Sequence, residues 1–305
     1  DYVISTGKQF SVRDFVMWAA DEIGIKLKFE GNGEDETAVV EDIQGDKAPA
    51  IKIGDVILKI DKRYFRPNKN REIKGQFMKT NMKLCVSLDL ESSKENLALV
   101  EKIKDFDIWL KVGFRTYLRD GKKFLEDLKS INSNFKIFLD LKLYDIPNTM
   151  ADAAEDISNF GLVDMFNVHA SAGKFAMQTV MERIKNIPNR PLVLDVTALT
   201  SFDNSSFKEI YGKDIEKKAR EFAKDTFKAG LEGVVCSAFE SIDIKNNTNK
   251  EFITLCPGIR PFGEDSGDQK RVADINFSKE NLVDFIVVGR PIYKNENPND
   301  IVKKI

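Results

Sequence analysis

The sequence predicts a (β/α)8 barrel of the TIM type, an α/β fold, over residues 82–305, preceded by a small α+β segment over residues 1–77. Three observations predict it. From Leu84 onward, short apolar runs recur along the chain, and each is apolar on consecutive residues rather than on alternate ones. Strands covered on both faces carry this signature, and parallel sheets are made of such strands. Nearly all the intervals between runs can hold a helix of ordinary length, and the span 82–305 suits eight βα units.

The elements follow in order. Ser11 and then Asp14, ahead of FVMWAADEIG, mark a helix start with a polar cap and an acid in the first turn; Gly24 marks its stop. KLKFEG, AVVEDI and DVILKID read as short strands with turn residues between them. Gly75, Gln76 and the polar residues 79–81 suit a junction, set at 78–81. The barrel strands are then LCVSLDL (84–90), IWLKVG (108–113), KIFLDLK (136–142), MFNVHA (165–170), PLVLDV (191–196), GVVCSA (233–238), FITLCPG (252–258) and FIVVGR (285–290). The fifth interval is the longest; KKAREFAKDTFKAG is its clearest helix, closed by glycine and with a basic face that reads as solvated surface. The sixth is the shortest, with room only for a short helix from SAFESIDIK.

Composition excludes several classes. With 42% hydrophobic and 31% charged residues the chain is neither disordered nor a membrane span. The 47 basic residues against 49 acidic ones give no cationic surface for a nucleic-acid partner. No apolar run approaches the roughly 18 residues of a transmembrane helix, so no membrane partner is expected. The opening DYVISTGKQF lacks a signal-peptide pattern, and a cytoplasmic location is expected. Cys85, Cys236 and Cys256 form no C-x-x-C pair and read as reduced thiols; the last two fall in strands as packing residues. His169 is the one histidine, so a zinc site with several histidine ligands is excluded within one chain. No metal and no cofactor are expected, and the chemistry should run on carboxylates and lysines.

In a barrel of this type the active site lies at the C-terminal ends of the strands. Those ends carry Asp89, Lys111, Asp140 with Lys142, His169, Thr197, Ser237, Gly258 with Arg260, and Gly289 with Arg290. Charged groups leaving three successive apolar strands are costly unless they pair. The sharpest string is FLDLKLYDIPNT (138–149): Asp140 and Lys142 are two apart and point to one side of a strand, and Asp145 follows beyond the strand end. A bare D-x-K would be a buried ion pair at the barrel mouth. The full string, with Lys111 on the neighbouring strand, reads as a catalytic site. The loops after strands seven and eight, PGIRPFGEDSGDQ and VGRP, each join glycines to an arginine. Either alone is a turn; together they read as a phosphate site, the longer loop acting as a lid. His169 reads as a hydrogen-bonded structural residue.

These strings, with LDL (88–90), LKVG (110–113), NVHAS (167–171), ALTS (198–201) and VGRP (288–291), closely resemble the bacterial orotidine 5′-monophosphate decarboxylase family along the whole of 82–305. The resemblance implies a charge network of Lys111, Asp140, Lys142 and Asp145, with Lys142 as proton donor and Asp145 reaching across a homodimer interface. It implies Asp89 and Thr149 at the ribose, Thr200 near the base, and Arg260, Gln269, Gly289 and Arg290 at the phosphate, with orotidine 5′-monophosphate as the small-molecule substrate. None of these positions departs from the family pattern. Residues 1–77, through DYVISTGKQFSVRDFVMWAADEIGIKLKFEG and KIGDVILKIDKRYFRP, resemble a C-terminal-domain segment of the GDP-mannose 4,6-dehydratase family. No glycine-rich dinucleotide loop is present and no tyrosine has a lysine four residues on, so dehydratase activity is not expected; Arg63 and Arg66 read as surface cations. The abrupt join reads as a chimera, an engineered fusion or a joined gene fragment. Two other readings stand beside it: a sugar-phosphate barrel enzyme whose acids hold Mg²⁺, and a non-catalytic fusion whose first 77 residues bind a nucleotide sugar. ALTS and PGIRPFGEDSGDQ favour the decarboxylase.

Overall fold

In the computed structural model, which describes residues 12–31, 35–45, 50–59, 82–263 and 271–305, the chain divides into two units, residues 1–77 and 78–305. The first unit starts with helix α1, Val12–Asp21, which has Asp14 in its first turn. Ser11, read as its cap, lies outside the described residues, as do Arg63, Arg66 and the junction at 78–81. Gly24, with φ 75°, turns the chain into β1 (Ile25–Glu30). A Cβ at Gly24 would stand 1.9 Å from the Gln44 carbonyl oxygen, so only glycine permits this approach. β2 (Thr37–Ile43) pairs antiparallel with β1 and with β3 (Val56–Lys59), giving the order β1-β2-β3. Ala20, Ile25 and Val40 form its small core.

The second unit is a closed barrel of eight parallel strands in sequence order: β4 (Lys83–Ser87), β5 (Trp109–Gly113), β6 (Lys136–Leu143), β7 (Met165–His169), β8 (Leu192–Val196), β9 (Gly233–Val235), β10 (Ile253–Cys256) and β11 (Phe285–Val288). Each apolar run became a strand because it has two apolar surroundings to fill. Inside the barrel, Trp109, Phe138, Met165, Leu194, Val196, Leu255 and Phe285 pack on one another. On the outer face, residues such as Val86, Leu110, Ile137, Phe166 and Val288 pack against the helices.

The helices that cover the barrel carry their own start and stop signals. α2 (Ser93–Lys102) opens with a capping box in which Ser92 and Glu95 each satisfy the other's backbone N–H. α3 is Phe114–Ile131, α4 (Pro147–Asn159) starts on its proline, and α5 is Lys174–Ile184. The fifth interval holds two helices, α6 (Asn204–Tyr211) and α7 (Ile215–Ala229). Only α7, closed by left-handed Gly230, was expected there. α6 exists because the Asp203 side chain caps it and Phe207 is buried with Ala198 and Ile215. The short sixth interval holds α8 (Ser241–Asn247), followed by α9 (Ile275–Glu280), α10 (Arg290–Tyr293) and α11 (Pro298–Lys304). No helix among the described residues is long and apolar enough to cross a membrane.

Candidate active site

A cavity of about 280 Å³ opens at the C-terminal ends of the barrel strands. Its floor is apolar, made by Phe138, Val196, Val235, Leu255 and Val287 from the barrel interior. Its walls bring together eight of the residues singled out from the sequence: Asp89, Lys111, Asp140, Lys142, Thr200, Arg260, Gly289 and Arg290.

The charged wall is built by β4, β5 and β6. Lys111 Nζ lies 3.3 Å from Asp89 Oδ1 and 3.4 Å from Asp140 Oδ2. Lys142 Nζ donates to the other Asp140 oxygen at 2.6 Å. The charges therefore alternate along the series Asp89, Lys111, Asp140, Lys142. Burial works against the Lys111 ammonium, but Asp140 and Asp89 outweigh it and hold its pKa above the ordinary lysine value. Burial likewise opposes the Asp140 carboxylate; Lys111, Lys142 and the hydrogen bonds from Lys142 and Asn167 overcome it and bring the pKa down to about 2.

Asp140 and Lys142 do not share a side through simple strand alternation. The pairing of β6 with β7 slips between Leu139 and Leu143, and Lys142 takes a left-handed backbone with φ 55°. A side chain other than glycine held there costs of order 1–3 kcal/mol and needs its surroundings to impose it. Asn167 of β7 does so: its Oδ1 accepts from the Lys142 backbone N–H at 2.7 Å, and its Nδ2 donates to Asp140 Oδ1 at 2.8 Å. Ser87 plays a similar part for Asp89, donating its hydroxyl to Asp89 Oδ2. Sequence reasoning missed both residues. The available signal was a polar side chain inside a run otherwise apolar on both faces.

Arg260 is buried beyond the end of β10, and Arg290 opens α10 just past β11. Gly289 lies between the β11 end and Arg290, where a Cβ would press on that of Ser87 at 3.2 Å. Thr200 is buried after β8. The cavity lining leaves out Asp145 and Thr149, both exposed where β6 passes into α4. The Asp145 carboxylate accepts from the Ile146 N–H at 2.7 Å and has no ion-pair partner among the described residues. Gln269 lies outside the described residues. His169 is outside the lining; its Nδ1 accepts from the Ser171 N–H at 3.3 Å and its ring stacks on Tyr144. Burial and the Lys142 ammonium hold its pKa below the ordinary imidazole value.

Comparison with known proteins adds the following. Residues 82–305 match the model of the orotidine 5′-phosphate decarboxylase / HUMPS family, and residues 1–85 match that of GDP-mannose 4,6 dehydratase. The chain is similar to the orotidine 5′-phosphate decarboxylase of Sulfurimonas denitrificans, 65% identical over 224 residues that make up 73% of this chain and 98% of the relative. It is 62% identical to the same enzyme of Campylobacter concisus over the same shares. Among solved structures, that of orotidine 5′-phosphate decarboxylase from Lactobacillus acidophilus is similar with a TM-score of 0.63 and 28% identity, over 73% of this chain and 98% of that one.

Proposed function

This chain belongs to the orotidine 5′-phosphate decarboxylase family, and we propose that its barrel removes the 6-carboxylate of orotidine 5′-monophosphate to give uridine 5′-monophosphate, a step of pyrimidine biosynthesis, through its own charge network. One observation carries the reading: the Asp140 carboxylate sits between two ammonium groups, at 3.4 and 2.6 Å, on the wall of a cavity also lined by Arg260 and Arg290.

Breaking the bond from C6 to the carboxylate leaves an electron pair on a carbon with no ready sink. The protein must stabilise that charge where it develops. With its pKa near 2, Asp140 is ionised at neutral pH. A substrate carboxylate held beside it meets a like charge, worth roughly 4 kcal/mol at about 4 Å and an effective dielectric near 20. That repulsion vanishes as neutral CO₂ leaves. The Lys142 ammonium attracts the growing charge at C6 and then delivers its proton there, forming the C6–H bond; the amine left behind regains a proton from water. Only a difference between ground state and transition state accelerates the step; the repulsion at Asp140 weakens on the way and the attraction at Lys142 strengthens, so both contribute. Asp89 holds the ribose, Thr200 lies near the base, and Arg260, Arg290, Gln269 and the Gly289 backbone take the phosphate.

Asp145 and Thr149 complete the site of a second copy in a homodimer, Asp145 joining the charge network there and Thr149 the ribose contact. Their exposure outside their own cavity supports this. Residues 1–77 form a separate module of a chimeric chain and take no part in the decarboxylation. The Mg²⁺-dependent reading is disfavoured by electrostatics: Asp89 and Asp140 already face Lys111, and Lys142 adds a second cation that repels a metal ion.

Loss of the orotidine 5′-monophosphate absorbance, followed with a metal chelator present, tests the proposal. The parent chain should turn over, and Lys142→Ala should lose several orders of magnitude in kcat while keeping its circular dichroism. Retention of more than about a tenth of kcat, a loss under roughly 1.4 kcal/mol, overturns the role of Lys142. Chelator inhibition favours the Mg²⁺ reading.

A further inference from the structure

We propose that Glu240 and Arg271, a buried ion pair outside the cavity, are positioning residues for its phosphate end. The inference rests on the reading of Arg260 as a phosphate ligand. Glu240 follows β9 and is 4% exposed. One of its oxygens accepts from the Ser237 backbone N–H at 3.0 Å, at the end of that strand. The other accepts from Arg271 Nη1. Arg271 Nε and Nη2 are buried and have no hydrogen-bond partner among the described residues, so among these Glu240 alone holds the guanidinium.

From Arg271 the connection runs to the cavity through the backbone. The Arg260 N–H donates to the Ala273 carbonyl at 2.9 Å, and the Ala273 N–H donates to the Gly258 carbonyl at 3.3 Å. These bonds form an isolated parallel bridge between Ile259 and Ala273. Gly258 and Arg260 line the cavity, whereas Glu240 and Arg271 do not. A parallel contact joins the same two segments: Phe239, beside Glu240, packs on Phe277 of α9 with ring centroids 4.7 Å apart. The end of β9 is thus tied to the stretch that carries Arg260 by a carboxylate, a guanidinium and a backbone bridge in series. A carboxylate buried this deeply imposes one position on its cation, because an unpaired buried charge is costly. Releasing Arg271 frees Ala273, and with it the backbone that aims Arg260.

Steady-state kinetics of the full chain on orotidine 5′-monophosphate and on the nucleoside orotidine tests this. Glu240→Gln keeps the shape and removes the charge. It should raise KM for the phosphorylated substrate about tenfold, with kcat changed by less than about threefold. Its kcat/KM for the nucleoside should fall much less than that for the nucleotide. Arg271→Lys keeps a cation opposite Glu240 and should show a smaller loss of the same kind. Equal fractional losses on both substrates, or an unchanged KM, overturn the proposal in favour of a role in stability alone. If Glu240→Gln does not fold, Arg271→Lys is read by the same ratio with the same two outcomes. A parent chain that turns over nucleotide and nucleoside equally well overturns the phosphate reading itself, and that result is separate from either variant.

Discussion

Thr226 has one hydroxyl proton and two oxygen neighbours: the Phe222 carbonyl at 2.8 Å and Asp195 Oδ2 at 2.6 Å. One proton cannot serve both, so both contacts are hydrogen bonds only when Asp195 is protonated. Its fully buried position on β8 agrees, since burial raises its pKa well above the ordinary aspartate value. The unfolded chain gives up this proton near pH 4, while the fold keeps it. Stability from this group is therefore present at low pH and lost as pH rises from about 4 towards the folded pKa. Asp195→Asn, which stays neutral, should gain on the parent by at least about 2 °C in Tm between pH 5 and pH 8. A Tm difference that does not move with pH would mean that Asp195 is not a protonated acid. Polar side chains in apolar strands explain both what was legible in the site and what was not. Asp89, Lys111, Asp140 and Lys142 stood out as charges at the ends of apolar runs. Asn167, equally out of place in MFNVH, carries no charge and went unread, although it fixes both partners of the Asp140–Lys142 pair. The left-handed backbone at Lys142 was not legible, because no glycine announces it.

Three strands of the barrel are entered through an acid that also ties down the strand before it. Asp164 before β7 accepts from the Ile137 N–H, Glu232 before β9 from the Val193 N–H, and Asp284 before β11 from the Thr254 N–H. Each acid also meets a cation from an adjoining segment: Lys129 and Lys136, Arg190, and Lys245 respectively. These clamps lie at the N-terminal ends of the strands, opposite the cavity, where residues serve stability rather than chemistry. The Lys245 ammonium is the most deeply buried of the cations, 4% exposed, and also donates to the Lys250 and Phe252 carbonyls. Asp284→Ala leaves that charge unpaired and should cost about 3 kcal/mol in urea unfolding. Lys245→Met should cost less, because the part-exposed Asp284 carboxylate can turn to water. Equal costs would mean that the pair acts only through packing. The clamps were not legible in the sequence, where Asp, Glu and Lys beside strands look like ordinary turn residues. The strands themselves were legible, since filling both the barrel interior and the helix layer requires apolar residues on most consecutive positions. α6 was hidden because its buried side is little more than Phe207, too little for a periodic pattern.

At the scale of the whole molecule, the sequence shows two patterns: short strands with turn residues between them before the junction, and continuous apolar runs with room for helices between them after it. On the proposed reading, one chain does not carry the completed site. Asp145 and Thr149 belong to the same sequence string as Asp140 and Lys142, yet the fold turns them away from the cavity that those two line. The string was readable because its spacing is local, whereas in the proposed homodimer the surface that Asp145 meets belongs to a second copy. An isologous two-fold interface gives two equivalent sites, each borrowing one Asp145. Asp145→Ala and Lys142→Ala chains should each be inactive alone, for different reasons. In a mixed dimer one site then carries both lesions and the other carries neither. Equal mixing makes about half of the dimers mixed, each with one intact site of two, so about a quarter of the parent activity should return. Subunit exchange is followed independently by mass-tagging one variant. Exchange without recovery would place Asp145 in its own chain's chemistry, and the exposed segment between β6 and α4 would then have to fold back over its own cavity.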